Sequence, residues 1–312
     1  MFDDRRASPQ EASLSLAQLW SHWADSDPPG PPYIRHFVSL LPDGRQRLHE
    51  YFSGLSIDFA SFNAIKFEVE AVYRSPDTLL PPVPVFSFRD YVLADLATRR
   101  SERGAASMAW WRQRIPHYPE SLTMPMMPSF KADRARMRGV GCTISPEQCY
   151  AIETRCETLG ASASVCWFAV LGTVWAAYHT SRRFTVAMMY SRRLPLHPTV
   201  ATLRGSFTTV VPLEIDLTEG RSFNDLLRSL QDQVQDINKH RWCAGLDVMT
   251  ELSSALGRTG ISPLPYVISS SLTAGNTFIP SAAFSAGVRG MKPLLNAPLS
   301  PKHVRSSTFS TL

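Results

Sequence analysis

Two short apolar runs, 184–190 (FTVAMMY) and 207–215 (FTTVVPLEI), most constrain what this chain can fold into. Each is short and rich in branched or bulky side chains, the pattern of a strand buried in a sheet. The loop between them holds Pro195, Pro198 and Gly205, which interrupt regular structure. Loops tied to rigid strands are where binding and chemistry sit. A plain crossover between two strands is the alternative reading of the same residues. His197 stands between Leu196 and Pro198, and the stretch Gly205-Ser206-Phe207-Thr208-Thr209 puts hydroxyls at the entrance of the second strand.

The rest of the chain supplies partners for those strands. Residues 33–41 and 45–52 read as a hairpin around Leu41-Pro42-Asp43-Gly44, because Pro and Gly preset the turn dihedrals. Asp58 stands at the start of an amphipathic helix over 59–73, with Phe59, Phe62, Ile65 and Val69 on one face. Residues 88–115 read as helical in two parts around Gly104, and 14–23 as a short helix. A strand is expected at 139–144. Ser145 and Pro146 then open a helix to about Gly160. Ser162 or Ser164 caps an apolar helix to Tyr178. Helices follow at 222–240 and 246–256, with a last strand at 264–269. Strands alternating with helices in two halves predict an α/β (α+β layered) protein of two lobes. The domain boundaries expected are a poorly determined segment 1–31, a partial N-terminal lobe 32–116, a linker 117–137, a C-terminal lobe 138–273 and a disordered tail 274–312.

Composition excludes several function classes. The 312 residues are 44% hydrophobic and 19% charged, enough for one large or two modest domains. The net charge of +5 comes from scattered or paired arginines, without the basic clusters a nucleic-acid groove needs. An acidic partner suits this charge. The apolar run 165–178 is shorter than the roughly 20 residues that span a bilayer, so no membrane association is expected. Five cysteines, with Cys142, Cys149 and Cys156 seven residues apart, lack close pairs or nearby histidines and predict no metal site. With the polar opening MFDDRRASPQ, they predict a reduced, cytoplasmic protein.

Several local patterns occur together in order. They are Leu41-Pro42-Asp43-Gly44 before Arg47-Leu48-His49; Ser87-Phe88-Arg89-Asp90-Tyr91; and Trp111-Arg112-Gln113-Arg114-Ile115-Pro116. Ala163-Ser164 comes next, then Arg193-Leu194-Pro195-Leu196-His197-Pro198 with Gly205-Ser206-Phe207-Thr208. Pro265-Tyr266-Val267-Ile268-Ser269-Ser270 closes the series. From Pro32 to about Ala274 the chain resembles the nonribosomal peptide synthetase condensation superfamily, and within it the heterocyclization branch. The matching family motifs read "SFRDY", "YWRERL", "TPS", "NRLPLHP", "GDFTS" and "PVVFTS".

The resemblance implies a two-lobed fold like that of chloramphenicol acetyltransferase, with a tunnel between the lobes. It implies substrates carried on the phosphopantetheine arms of peptidyl or aryl carrier proteins, neighbouring synthetase modules as partners, and no cofactor of the chain's own. The chemistry implied is amide formation between two carrier-bound thioesters, followed by cyclodehydration of Cys, Ser or Thr to a thiazoline or oxazoline. Such chemistry needs oriented substrates, proton transfer and donors for a developing oxyanion. On this resemblance Ser269, Asp58 and Thr208 are the catalytic candidates. Ser53, Ser61, Arg192, His197, Ser206 and Ser270 are expected along the substrate tunnel.

The departures are specific. The acidic motif D-x-x-x-x-D-x-x-S is met by Asp58 and Ser61, but Ser53 replaces its first Asp. Arg192 stands where "NRLPLHP" has Asn, Ser206 replaces the Asp of "GDFTS", and Ser269 replaces the Thr of "PVVFTS". No "SQTPQ" segment follows, and the family's opening motif is not found, so an N-terminal lobe incomplete in sheet and helices is expected. Asp58 reads more readily as a helix cap or an inter-lobe salt bridge than as a catalytic group, and His197, with no acid partner in sequence, more readily as a histidine satisfied by backbone than as a general base. These substitutions predict a fragment with weak or absent activity on its own. The alternatives are a stand-alone acyltransferase of the same fold, or a non-catalytic carrier-binding remnant. The acyltransferase reading would require an HHxxxD-like motif, whereas His36 and His49 are single.

Overall fold

The computed structural model describes residues 2–3, 7–25, 34–44, 46–52, 54–124, 144–218, 220–257 and 263–270. They divide into two compact units, one holding the described residues up to Lys66, the other those of 67–124 and 145–270. The strand expected at 139–144 falls almost wholly outside the described residues, as do Cys142, Ser53 and the tail beyond Ser270.

In the first unit, strand β1 (Phe2–Asp3) precedes helix α1 (Pro9–Asp25). The helix is longer at both ends than the 14–23 read from sequence. Its start is set earlier by Ser8 and Glu11: the Glu11 N–H donates to Ser8 Oγ at 3.3 Å, and the Ser8 N–H donates to Glu11 Oε2 at 2.7 Å. This reciprocal capping satisfies two of the helix's orphan donors. The hairpin strands β2 (Ile34–Leu40) and β3 (Gln46–Phe52) pair antiparallel, from Ile34↔Phe52 to Leu40↔Gln46, with β1 parallel to β2 on the other edge. Gly44 closes the turn with φ of 78°, a left-handed conformation that favours glycine. Helix α2 (Phe59–Arg74) follows the hairpin.

Helix α2 crosses the division after Lys66, and the second unit continues with α3 (Phe88–Arg99) and α4 (Glu102–Arg114). Both helices lie within this unit. The break between them lies at Arg100-Ser101 and not at Gly104. Ser101 caps α4 by accepting the Gly104 N–H. Gly104 sits inside the helix, where a Cβ would lie 2.4 Å from the Arg99 carbonyl oxygen. The glycine therefore permits the tight corner without being the corner.

After α4 the chain runs through a short 3₁₀ turn and bridges the sheet at Ser121↔Thr185, with Leu122 fully buried. Helix α5 (Pro146–Thr158) begins with the expected Ser145 cap and Pro146, and Gln148 completes a capping box. Helix α6 (Ala163–Ala176) is capped by Ser162. Next come β4 (Arg183–Ser191), β5 (Thr208–Asp216), α7 (Phe223–Lys239), α8 (Gly245–Ala255) and β6 (Val267–Ser269).

The sheet order is β5-β4-β6, antiparallel on one side of β4 and parallel on the other. On one face Phe184, Val186 and Met188 of β4 meet Ile215, Leu213 and Val211 of β5, with Ile268 of β6, and all are buried. Each such side chain contributes about 1.5–3 kcal/mol by leaving water. Helix α6 approaches β5 closely at Gly172, whose Cβ would lie 3.0 Å from Ile215. Helix α7 buries Leu226, Leu227, Leu230 and Ile237 in the same core. Among the described residues no single helix is long and apolar enough to cross a membrane.

Candidate functional site

The loop between β4 and β5 is fixed from below by α3. Tyr91 leaves its helix toward the loop and donates its hydroxyl to the Arg192 carbonyl at 2.8 Å. The same oxygen accepts the Leu194 N–H at 3.0 Å. One phenol thereby satisfies two backbone groups of an irregular segment, and burial pushes its acidity down by raising its pKa. Tyr91, Leu194, Val200, Leu203 and Phe207 form a small apolar cluster of their own, against which Phe86, Phe88, Leu196 and Trp242 pack. Arg193 folds back inside the loop. Its Nη1 donates to the carbonyls of Val200 (3.0 Å) and Leu203 (2.9 Å), and its guanidinium lies 3.8 Å from the Phe207 ring centre.

Arg192 is the loop's other anchor. Its side chain is 6% exposed, with Nη1 2.8 Å from Asp95 Oδ1, and its Nε donates to the Arg241 carbonyl at 2.7 Å. Its own N–H donates to the Phe207 carbonyl at 2.7 Å, which closes the loop at its base. Asp95 was not legible as a site residue: alone on a charged helix, it reads as a solvated position until Arg192 is brought against it.

His197 caps the short 3₁₀ turn over Pro198–Thr202. Its ring stacks on Phe86 at 4.4 Å, and its Nδ1 accepts the Thr199 N–H at 3.2 Å. That bond leaves the proton of the neutral ring on Nε2. This is the backbone-satisfied histidine, set in an exposed depression lined by Arg193, Pro195, Leu196, Pro198, Val200 and Ala201.

The hydroxyl candidates gather at one end of the sheet. Thr208 lies opposite Ser191 in the β4–β5 register, and Ser269 opposite Met189 in the β4–β6 register. By strand alternation Ser191, Thr208 and Ser269 share the face that Thr185 and Ala187 occupy, opposite that of Phe184, Val186 and Met188, and all three are exposed. Ser270, the next residue, pairs its hydroxyl with that of Ser164 at 2.8 Å in the first turn of α6. Ser206 is half-buried in the loop just before β5. Asp58 and Ser61 belong to the first unit: the Asp58 carboxylate accepts the Ser61 N–H at 2.8 Å and caps α2, and both residues are buried.

Two of the described thiols, Cys156 and Cys243, are held against ionisation. Burial, then the neighbouring Cys166, push the Cys156 thiol up to about 12, and burial pushes Cys243 up to about 11. Among the described residues no group of three or more His, Cys, Asp or Glu is placed to hold a metal ion.

The family described as the condensation domain matches residues 55–259. The chain belongs to the condensation domain family. Phenyloxazoline synthase MbtB of Mycobacterium tuberculosis is 28% identical over 255 residues, which cover 81% of this chain and 18% of that protein. Pyochelin synthetase PchF of Pseudomonas aeruginosa is 25% identical over 255 residues, covering 81% and 13%. The chain therefore spans less than a fifth of the length of these two relatives. Among solved structures, the cyclization-docking bidomain of the nonribosomal peptide synthetase EpoB from Sorangium cellulosum superposes with a TM-score of 0.77 at 26% identity. That match covers 87% of this chain and 55% of that one. The first condensation domain of the calcium-dependent antibiotic synthetase shares the fold, with a TM-score of 0.63 at 21% identity over 84% of this chain and 57% of that one. The layered α/β condensation-domain fold expected from the motifs is the fold observed.

Proposed function

We propose that this condensation domain acts on thioesters carried by phosphopantetheine arms, as a heterocyclization-type domain. The amine of a carrier-bound Cys, Ser or Thr attacks the donor thioester carbonyl. The C–S bond breaks, and the donor arm leaves as a thiol with the amine's proton. The side-chain thiol or hydroxyl then adds to the new amide carbonyl. Its proton passes to the carbonyl oxygen, and loss of that hydroxyl with the amide proton as water leaves the C=N bond of a thiazoline or oxazoline.

The observation that carries this reading is the exposed trio Ser191, Thr208 and Ser269 on one face at the end of the sheet. Exposed hydroxyls on rigid strands suit donation to an oxyanion and proton relay during dehydration. Ser269 and Thr208 take the catalytic roles in the second unit, with Ser270 and Ser206 near them in sequence; Asp58, with Ser61, is the candidate that the first unit carries. The aromatic and proline-lined depression at His197 suits the apolar part of an acyl group or arm. Carrier proteins and adjoining synthetase modules are the partners, a cytoplasmic setting follows from them, and the chain brings no cofactor of its own. The boundaries 32–116 and 138–273 remain the working division into lobes.

A second reading, a carrier-binding domain with little chemistry, is favoured by one observation. Arg192, in the place of the motif's Asn, is buried against Asp95 and its charge does not reach solvent. The test is direct: donor-loaded and cysteine-loaded carrier proteins are mixed with the purified chain, and released products are analysed by mass. Thiazoline supports the first reading. Carrier binding without product supports the second, and the absence of both overturns the proposal.

A further inference from the structure

Helix α3 holds Arg192 by both its main chain and its side chain. Tyr91 takes the carbonyl, and Asp95, one turn further along the same face, takes the guanidinium. Asp95 is buried and its second oxygen accepts from Arg99 Nη2 at 2.5 Å. Two arginines thus share one carboxylate. The Asp95–Arg192 contact is an ion pair without an aligned hydrogen bond, and Arg192 Nη2 is buried with no hydrogen-bond partner among the described residues. An arrangement with an excess positive charge and an unmet donor is poorly suited to adding stability, because desolvating the ions offsets their attraction. It is well suited to fixing direction: Arg192 follows Ser191, and its N–H bonds the carbonyl of Phe207, the residue before Thr208.

We infer that Asp95 is a positioning residue. Through Arg192 it sets where β4 gives way to the loop, and with that how the Ser191 and Thr208 hydroxyls are presented. The functional part of this inference rests on the carrier-bound-thioester reading above; the positional part does not.

The experiment uses the full chain with Asp95→Asn, Arg192→Asn and the double variant. Amide hydrogen exchange is followed at Arg192, Leu194 and the sheet residues Val186 and Leu213, alongside the melting midpoint. Arg192→Asn leaves Asp95 paired with Arg99 and guards against simple misfolding of the other variant. The inference expects exchange at Arg192 and Leu194 to rise on the order of 10- to 100-fold, the range set by loss of a buried partner. Val186 and Leu213 stay within a few-fold, and the double variant is no worse than either single one. A uniform rise across the sheet, or no rise at the loop, overturns it. Binding of phosphopantetheine-loaded carrier protein is measured on the same samples. If the wild-type chain binds and Asp95→Asn weakens binding without altering the melt, the functional part stands; unchanged binding overturns that part. A wild-type chain that binds no carrier overturns the carrier reading, with the exchange data still deciding the positional claim.

Discussion

Gly205 lies against the ring of Phe88, so closely that a Cβ on the glycine would fall 2.2 Å from a ring carbon. Phe88 is the first residue of α3, and its ring also meets Phe207 edge-on at 5.2 Å. The chain passes over the aromatic ring at the one residue that has no side chain to collide with it.

Gly205→Ala is therefore expected to destabilise the second unit by about 1–3 kcal/mol, the cost of overpacking a closed site. The φ of Gly205 is not in the left-handed region, so the effect is steric. Phe88→Leu in the same chain should recover part of the loss by making room. Thermal melts of the two single variants and the double variant check this, and additive losses would count against it.

Tyr91→Phe removes one oxygen and orphans two backbone groups, the Arg192 carbonyl and the Leu194 N–H. The ring packing against Phe207 at 4.8 Å is kept. The expected loss is about 1–3 kcal/mol, the penalty for a buried polar group left without a partner. Chemical denaturation with an unchanged m-value would assign the loss to the folded state.

Those two contacts mark the limit of what was legible in the sequence. Several helix starts were readable because the signal is local, although the equally local Ser8–Glu11 and Ser101–Gly104 caps were passed over. Ser145 with Pro146 and Ser222 before Phe223 specify their own caps, because the partner lies three residues away. The paired strands were readable from their branched apolar runs. The hydroxyl candidates were named from motif resemblance, yet nothing local says that Thr208 and Ser269 share a face; that follows from β4 lying between their strands. Asp95, Tyr91 and Gly205 were not legible as a group. Each draws its role from a residue far off in the chain, and a helix aspartate or loop glycine looks ordinary until the fold supplies its neighbour. Gly104 misled for a related reason: glycine signals both a break and a close approach, and here it is the second.

Among the described strands β5 is one edge of the sheet, and an edge invites pairing with other chains. Gln233 of α7 blocks part of it. Its Nε2 donates to the Glu214 carbonyl at 3.0 Å, and its Oε1 accepts the Glu214 N–H at 3.0 Å. The side-chain amide behaves as one residue of a further strand. Gln233→Ala is expected to cost about 1–3 kcal/mol by leaving both groups unpaired, and to raise the tendency to self-associate. Gln233→Glu should be worse than Gln233→Asn at neutral pH, since a carboxylate cannot donate to the Glu214 carbonyl. Light scattering with parallel melts checks both parts.

The first unit carries its own pH dependence. His49 of β3 is buried, with Nε2 3.0 Å from Ser39 Oγ on β2. Burial first, then the Arg47 charge, lower its pKa from the ordinary 6.5. The folded state therefore binds a proton less readily than the unfolded chain. Above 6.5 the residue is neutral in both states and has no effect on stability. As pH falls below 6.5 the unfolded chain takes up the proton first, so stability declines down to the lowered folded pKa and then levels off. His49→Gln, which keeps a donor and an acceptor near Ser39, is expected to flatten this part of the curve. His240 in the second unit is also lowered by burial, so its share of the slope should survive the substitution. Melts from about pH 8 to about pH 5 on both proteins measure the difference; an identical slope in the variant would mean that His49 takes up its proton equally readily in the folded and unfolded chain.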